Sequence, residues 1–260
     1  MFPSFRTPRS ARLALLCALA ALAACGGGGD LGRPADRPEV SADRAWVFLT
    51  TQLGFGPRDP GRPDPRRGHD PALAWLREQL AIRADTVLVD TFTHRAADGK
   101  TLRLANLFAR WHPERTDRIL LVAHWDTRPR ADRSADSADR RRPVPGANDG
   151  ASGVAVLMEV AELMRQQAPP VGVDILLTDG EDYGPGREDL FLGSRRFAAH
   201  LPPGYRPRWT VVLDMVGDAD ARFPRASGGG EGALAERVWG IAAQMGYDSV
   251  FAAPGTAAGG

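Results

Sequence analysis

Three apolar runs that each close on acids constrain this chain more than any other feature. RILLVAHWD (118–126), VDILLTDGED (173–182) and WTVVLDMVGD (209–218) are short stretches dense in branched aliphatic residues. Runs of that length and content read as buried strands. Segments of helical spacing alternate with them: GVAVLMEVAELMRQ (153–166), LGSRRFAAHL (192–201) and ALAERVWGIAAQMG (233–246). Strands separated by helices build βαβ units, so the sequence predicts an α/β fold with a mostly parallel mixed sheet flanked by helices.

In such a sheet, sites form beyond the carboxyl ends of the strands. That rule gathers His124, Asp126, Glu181, Asp182 and Asp214 at one edge, although His124 and Asp214 stand 90 positions apart. Asp149, in GANDGASG ahead of the helix at 153–166, joins them. Crowded carboxylates raise one another's pKa, and a bound cation relieves the conflict. Imidazole nitrogen and carboxylate oxygen are donors that suit zinc. Each residue taken alone has a plainer role. Asp149 could cap a helix, a strand-end acid could open a turn, and His124 could be a hydrogen-bonded core residue.

Upstream, 42–54 reads as a helix with Ser41 as its N-cap, and 71–83 as a second with Asp70 as cap and Pro71 in its first turn. Residues 56–70 (GPRDPGRPDPRRGHD) are too proline-rich for regular structure. TVLVDTF (86–92) and LRLANLFARW (102–111) flank Asp98-Gly99, the signature of a hairpin turn. The charged stretch 130–142 (RADRSADSADRRR) reads as a solvated loop.

The first 25 residues carry a different signal. Arg6, Arg9 and Arg12 precede a short apolar stretch at 13–24, too short to span a bilayer. It ends in Leu22-Ala23-Ala24-Cys25, which resembles a bacterial lipobox. The expectation is an exported lipoprotein acylated at Cys25, tethered by 26–40 on the periplasmic face and held at the outer membrane, with a catalytic domain over 41–260. Cys17 leaves with the leader, so the remaining domain has no cysteine ligand and no disulfide. A net charge of +1 supplies no bulk field for nucleic acid or for acidic lipid.

HWD (124–126), GANDGASGVAVLMEVA (146–161), DGED (179–182), LGSRRFA (192–198) and LDMVGD (213–218) occur in the order seen in family-28 metallopeptidases. That family holds zinc aminopeptidases and, as a branch, the animal-type glutaminyl cyclases. HWDTRPRAD (124–132) and DGEDYG (179–184) resemble the bacterial members of that branch. The resemblance implies conversion of an N-terminal glutamine to pyroglutamate with release of ammonia. It implies one zinc held by Asp149, Asp182 and a later histidine, with Glu181 as proton shuttle and Asp214 as its acidic partner. The alternative it implies is a two-zinc aminopeptidase. There Asp149 bridges the metals, His124 and Asp214 hold one, Asp182 helps hold the other, Glu181 activates water and Asp126 orients His124. A third reading is a peptide-binding lipoprotein without catalysis.

Two departures stand out. Asp182 occupies a position where most of the family has Glu. Residues 183–189 (YGPGRED) lack the tryptophan of the animal cyclases, so an aromatic pocket wall is expected from Trp125 or Tyr183. The histidines are His69, His94, His112, His124 and His200, and none follows Leu201. The resemblance therefore implies a domain truncated at its C-terminus, which by itself binds zinc weakly and turns over little substrate.

Overall fold

The computed structural model describes residues 38–224 and 232–251. The leader, Cys25 and most of the 26–40 tether lie outside the described residues. Helix α1 (Ala42–Phe55) starts as predicted, with Ser41 Oγ accepting the Arg44 N–H at 3.1 Å. Helix α2 (His69–Ala81) starts two residues earlier than predicted. Gly68, at φ 76°, makes the turn that opens it, so Asp70 sits inside the first turn rather than capping it.

Strands β1 (Thr86–Arg95) and β2 (Thr101–Trp111) form the expected hairpin, with Gly99 at φ 85° in its turn. Strand β3 (Arg118–His124), helix α3 (Gly153–Gln166), strand β4 (Gly172–Thr178), helix α4 (Leu192–Ala199), strand β5 (Trp209–Val212) and helix α5 (Gly232–Gln244) follow. The sheet order is β1-β2-β4-β3-β5. Strand β2 is antiparallel to both its neighbours, while β3 is parallel to β4 and to β5. Four strands thus run one way and β2 runs the other.

Every residue of β4 is buried, as a strand covered on both faces requires. One face packs Leu107, Ile175 and Leu177 against Leu76 and Leu80 of α2 and Val154, Leu157 and Met158 of α3. The other packs Phe108, Leu120, Val122 and Leu176 beneath Phe197 of α4 and Tyr205. At the amino end of β4, buried Asp174 is satisfied by Arg110, Arg118 and the Tyr205 hydroxyl. The carboxyl ends of β3, β4 and β5 share the opposite edge. There β5 is shorter than its sequence run. Leu213 N–H still donates to Val122 O at 2.8 Å, and Met215, at φ 51°, then turns the chain.

Candidate active site at the strand ends

Side-chain and backbone hydrogen bonds latch together the strand ends and the loop before α3. Asn148 Oδ1 accepts the Gly217 N–H at 2.8 Å, and Ser152 Oγ accepts the Val216 N–H at 3.0 Å. Those two bonds tie the exit of β5 to the loop carrying Asp149. A Cβ on Gly153 would collide with Leu213 O, and one on Gly150, at φ 96°, with Asp126 O. Glycine at both places lets Asp149 and Asp214 approach the end of β3. After β4, Asp179 O, Gly180 O and Glu181 O accept the N–H groups of Gly193, Leu192 and Phe191. This zipper fixes the turn that presents Glu181 and Asp182.

His124, the last residue of β3, is the hub. Its Nε2 lies 2.9 Å from Asp149 Oδ1 and 3.4 Å from Asp214 Oδ1, and its Nδ1 lies 3.3 Å from Asp126 Oδ1. Ligand atoms of His124, Glu181 and Asp214 all lie within 4.8 Å of one another. Asp126 is fully buried and also accepts the backbone N–H groups of Glu181 (3.0 Å) and Asp182 (3.3 Å). One carboxylate therefore organises the ends of two strands. Asp149 departs from helical geometry, at φ −88° and ψ 106°, and its carboxylate meets His124 instead of capping α3.

The electrostatics follow from burial and crowding. Burial pulls the His124 imidazole down, but Asp126, Asp149 and Asp214 outweigh it and hold it well above the ordinary histidine value. Burial pushes the Glu181 carboxyl up to about 7; His124 opposes this, and Asp126, Asp214 and Asp149 add to it. Burial also raises Asp182, partly offset by Arg128. Asp214 is lowered, chiefly by its bond to His124.

Several residues of the site carry no strand-end signal. Arg128 Nη1 donates to Asp182 Oδ1 at 2.6 Å. Buried His69 places Nε2 2.8 Å from Asp179 Oδ2, and Asp179 also accepts the Ala105 N–H at 2.7 Å. Arg58, in the proline-rich stretch, is fully buried and meets three carbonyls: Trp125 O at 3.0 Å, Pro145 O at 2.8 Å and Gly146 O at 2.8 Å. It clamps the His124–Asp126 segment to the loop bearing Asp149. Burial lowers its pKa to about 10. Lysine presents a point charge in place of the fork, so Arg58→Lys is expected to cost about 2 kcal/mol through carbonyls left unpaired. Urea midpoints of the two proteins check this.

Trp125 does not form the expected aromatic wall. Its indole is fully buried against α2 and α3, with Nε1–H donating to Ala105 O at 3.1 Å. Tyr183 is also mostly buried, but it borders an open cavity beside Asp182.

The His124 imidazole with the Glu181 and Asp214 carboxylates, and Asp149 against the same ring nitrogen, is a donor set that fits zinc; Asp182 is turned to Arg128 instead. Without a cation the same acids repel one another. The family model described as Peptidase family M28 matches residues 106–258, more than half of the chain. The chain belongs to peptidase family M28. Its relatives and structural neighbours include probable zinc metalloproteases, zinc-dependent exopeptidases and glutaminyl cyclases. A glutaminyl cyclase of Bacteroides thetaiotaomicron, solved bound to N-acetylhistamine, is 35% identical with TM-score 0.78, covering 84% of this chain and 77% of that one. A leucine aminopeptidase precursor from Bacteroides thetaiotaomicron is 34% identical with TM-score 0.77, covering 84% and 79%. A probable zinc metalloprotease of Pyricularia oryzae is 28% identical over 158 residues, 56% of this chain and 30% of that protein. The chain spans about a third of the length of the first curated relatives it matches.

Proposed function

We propose that this M28 protein acts on the N-termini of peptides, closing an N-terminal glutamine into pyroglutamate with release of ammonia. The observation that carries the reading is Glu181, half-buried, within 4.8 Å of Asp214 and His124, its carboxyl pushed up to about 7 by burial. Cyclisation takes a proton from the substrate's α-amine and returns one to the departing ammonia. A carboxyl near pH 7 holds both protonation states that this relay uses. Asp214, kept ionised by His124, sits where it can orient the cationic amine or the leaving ammonia. The attacking nitrogen belongs to the substrate, so no serine or cysteine nucleophile is needed. Asp149 and Asp182, with the later histidine that the resemblance implies, would hold a single zinc, which when bound supplies polarisation of the side-chain amide carbonyl.

A second reading, a two-zinc aminopeptidase, draws support from one specific arrangement. Asp126 stands behind His124 Nδ1 while Nε2 faces Asp149 and Asp214, the way a carboxylate orients a metal-binding imidazole. Mass spectrometry of a glutamine-first peptide incubated with the full-length protein and zinc separates the readings. The expected product has lost ammonia and kept every residue. Loss of the whole first residue would replace the cyclase with the aminopeptidase. An unchanged peptide that still binds would leave the non-catalytic reading.

A further inference from the structure

Beside the site lies an open cavity of about 480 Å³ whose wall includes Arg128 and Tyr183. It adjoins the catalytic edge directly, because the Arg128 guanidinium in its wall also holds Asp182. The charge lining it is unbalanced. Its acids are engaged within the protein: Asp59 accepts the Gly61 N–H, Asp98 accepts the Tyr183 hydroxyl and pairs with Lys100, and Asp132 pairs with Arg128. Lys100 is the only lysine of the chain, and its Nζ is committed to Asp98 and the Tyr183 hydroxyl. Arg62, Arg130 and Arg141 also line the cavity and are exposed; none makes an ion pair within 4.0 Å among the described residues, although Arg62 acts on Asp59 and Arg130 on Asp132 at longer range. Arg130 and Arg141 come from the stretch 130–142 that reads in sequence as a solvated loop. The fold brings both to one concavity with Arg62, some 70 positions away from them in the chain.

We infer that this cavity binds a carboxylate of the peptide substrate, carried on a side chain or at the chain end, within the first few residues after the N-terminal one. The inference rests on the reading that peptide N-termini occupy the adjoining site. Guanidinium groups are suited to a carboxylate because their planar fork matches its two oxygens. Several converging on one concave surface hold a charge more firmly than a single exposed pair does. A peptide whose N-terminus lies among Glu181, Asp182 and Asp214 needs few residues to reach past Arg128, since each extended residue advances about 3.3 Å.

Calorimetric titration of three short glutamine-first peptides tests the inference. One carries an acidic residue near its N-terminus and an amidated end, one is neutral with a free terminal carboxylate, and one is neutral and amidated. At least one of the first two is expected to bind about tenfold tighter than the third, a difference of about 1.4 kcal/mol. Which of them gains identifies the source of the carboxylate. The preference should vanish in the double variant Arg130→Gln, Arg141→Gln, with affinity for the neutral amidated peptide unchanged. These arginines are exposed, so the variant should fold as the parent does. Equal binding of all three peptides, or a preference that survives in the variant, overturns the inference. Mass analysis of the same samples reports separately on the reaction: an altered N-terminus bears on Glu181 and its partners, and the binding preference bears on the cavity.

Discussion

Replacing Glu181 with glutamine should lower kcat by about a hundredfold to ten-thousandfold, the range general acid–base catalysis contributes, and leave peptide affinity nearly unchanged. The residue is suited to the relay because burial, with Asp126, Asp214 and Asp149 nearby, lifts its carboxyl to about 7. Glutamine keeps the size and the backbone bond to Asp126, which comes from the Glu181 N–H. It cannot accept a proton. It also removes one acid from a crowded cluster, so the melting temperature of the metal-free variant should not fall. The measurement is a paired one: turnover with binding, and thermal melting with both. A variant that retains turnover within a fewfold would mean that the proton moves through another group, and Glu181 would lose its role. A parent protein that binds peptides without changing them, with a variant of equal affinity, would identify a binder instead of an enzyme.

The parts of this site that could be read from sequence are those that the strand pattern places. His124, Glu181 and Asp214 follow directly from parallel strands that end at one edge, and the structure brings them within 4.8 Å. Asp149 was legible from its glycine-rich loop, although the glycines act through close approach to Asp126 O and Leu213 O rather than through a helix cap. Arg58 was not legible. Its partners are three backbone carbonyls from two distant segments, and no side-chain pattern marks such contacts. The Arg128–Asp182 pair and the His69–Asp179 pair were hidden for a related reason, because each joins elements whose adjacency only the sheet order supplies. Trp125 is ambiguous in sequence because an indole next to ligand-type residues suits a pocket wall as well as a core. The N–H bond to Ala105 O satisfies its one polar atom and permits full burial. Strand β5 ends at Val212 although the apolar pattern continues past it, and the left-handed Met215 then turns the backbone.

The largest expected loss of stability comes from Asp126→Ala. The carboxylate is fully buried and serves three donors at once: the Glu181 N–H, the Asp182 N–H and His124 Nδ1. Alanine leaves two part-buried amides and one buried imidazole nitrogen without that acceptor, and each fully buried orphan costs about 1–3 kcal/mol. Some of this is returned, because Asp126 raises the neighbouring Glu181 and Asp182 through like-charge repulsion. The net expectation is a loss of about 3 kcal/mol, read as a shift of the urea midpoint. Activity should fall further than stability alone explains, since the freed turn no longer fixes Glu181 and Asp182 against His124. Asp126→Asn separates shape from charge. Its amide oxygen can still serve Glu181 and His124, which share Oδ1, and only the Asp182 N–H, on Oδ2, meets an N–H₂ instead of an acceptor. Asparagine should therefore cost about half of what alanine does and retain part of the turnover. If asparagine proves as damaging as alanine, the negative charge that holds the His124 imidazole high matters more than the two backbone bonds. If alanine is tolerated with an unchanged midpoint, Asp126 does not organise the strand ends, and the placement of Glu181 must come from the zipper with residues 191–193 alone.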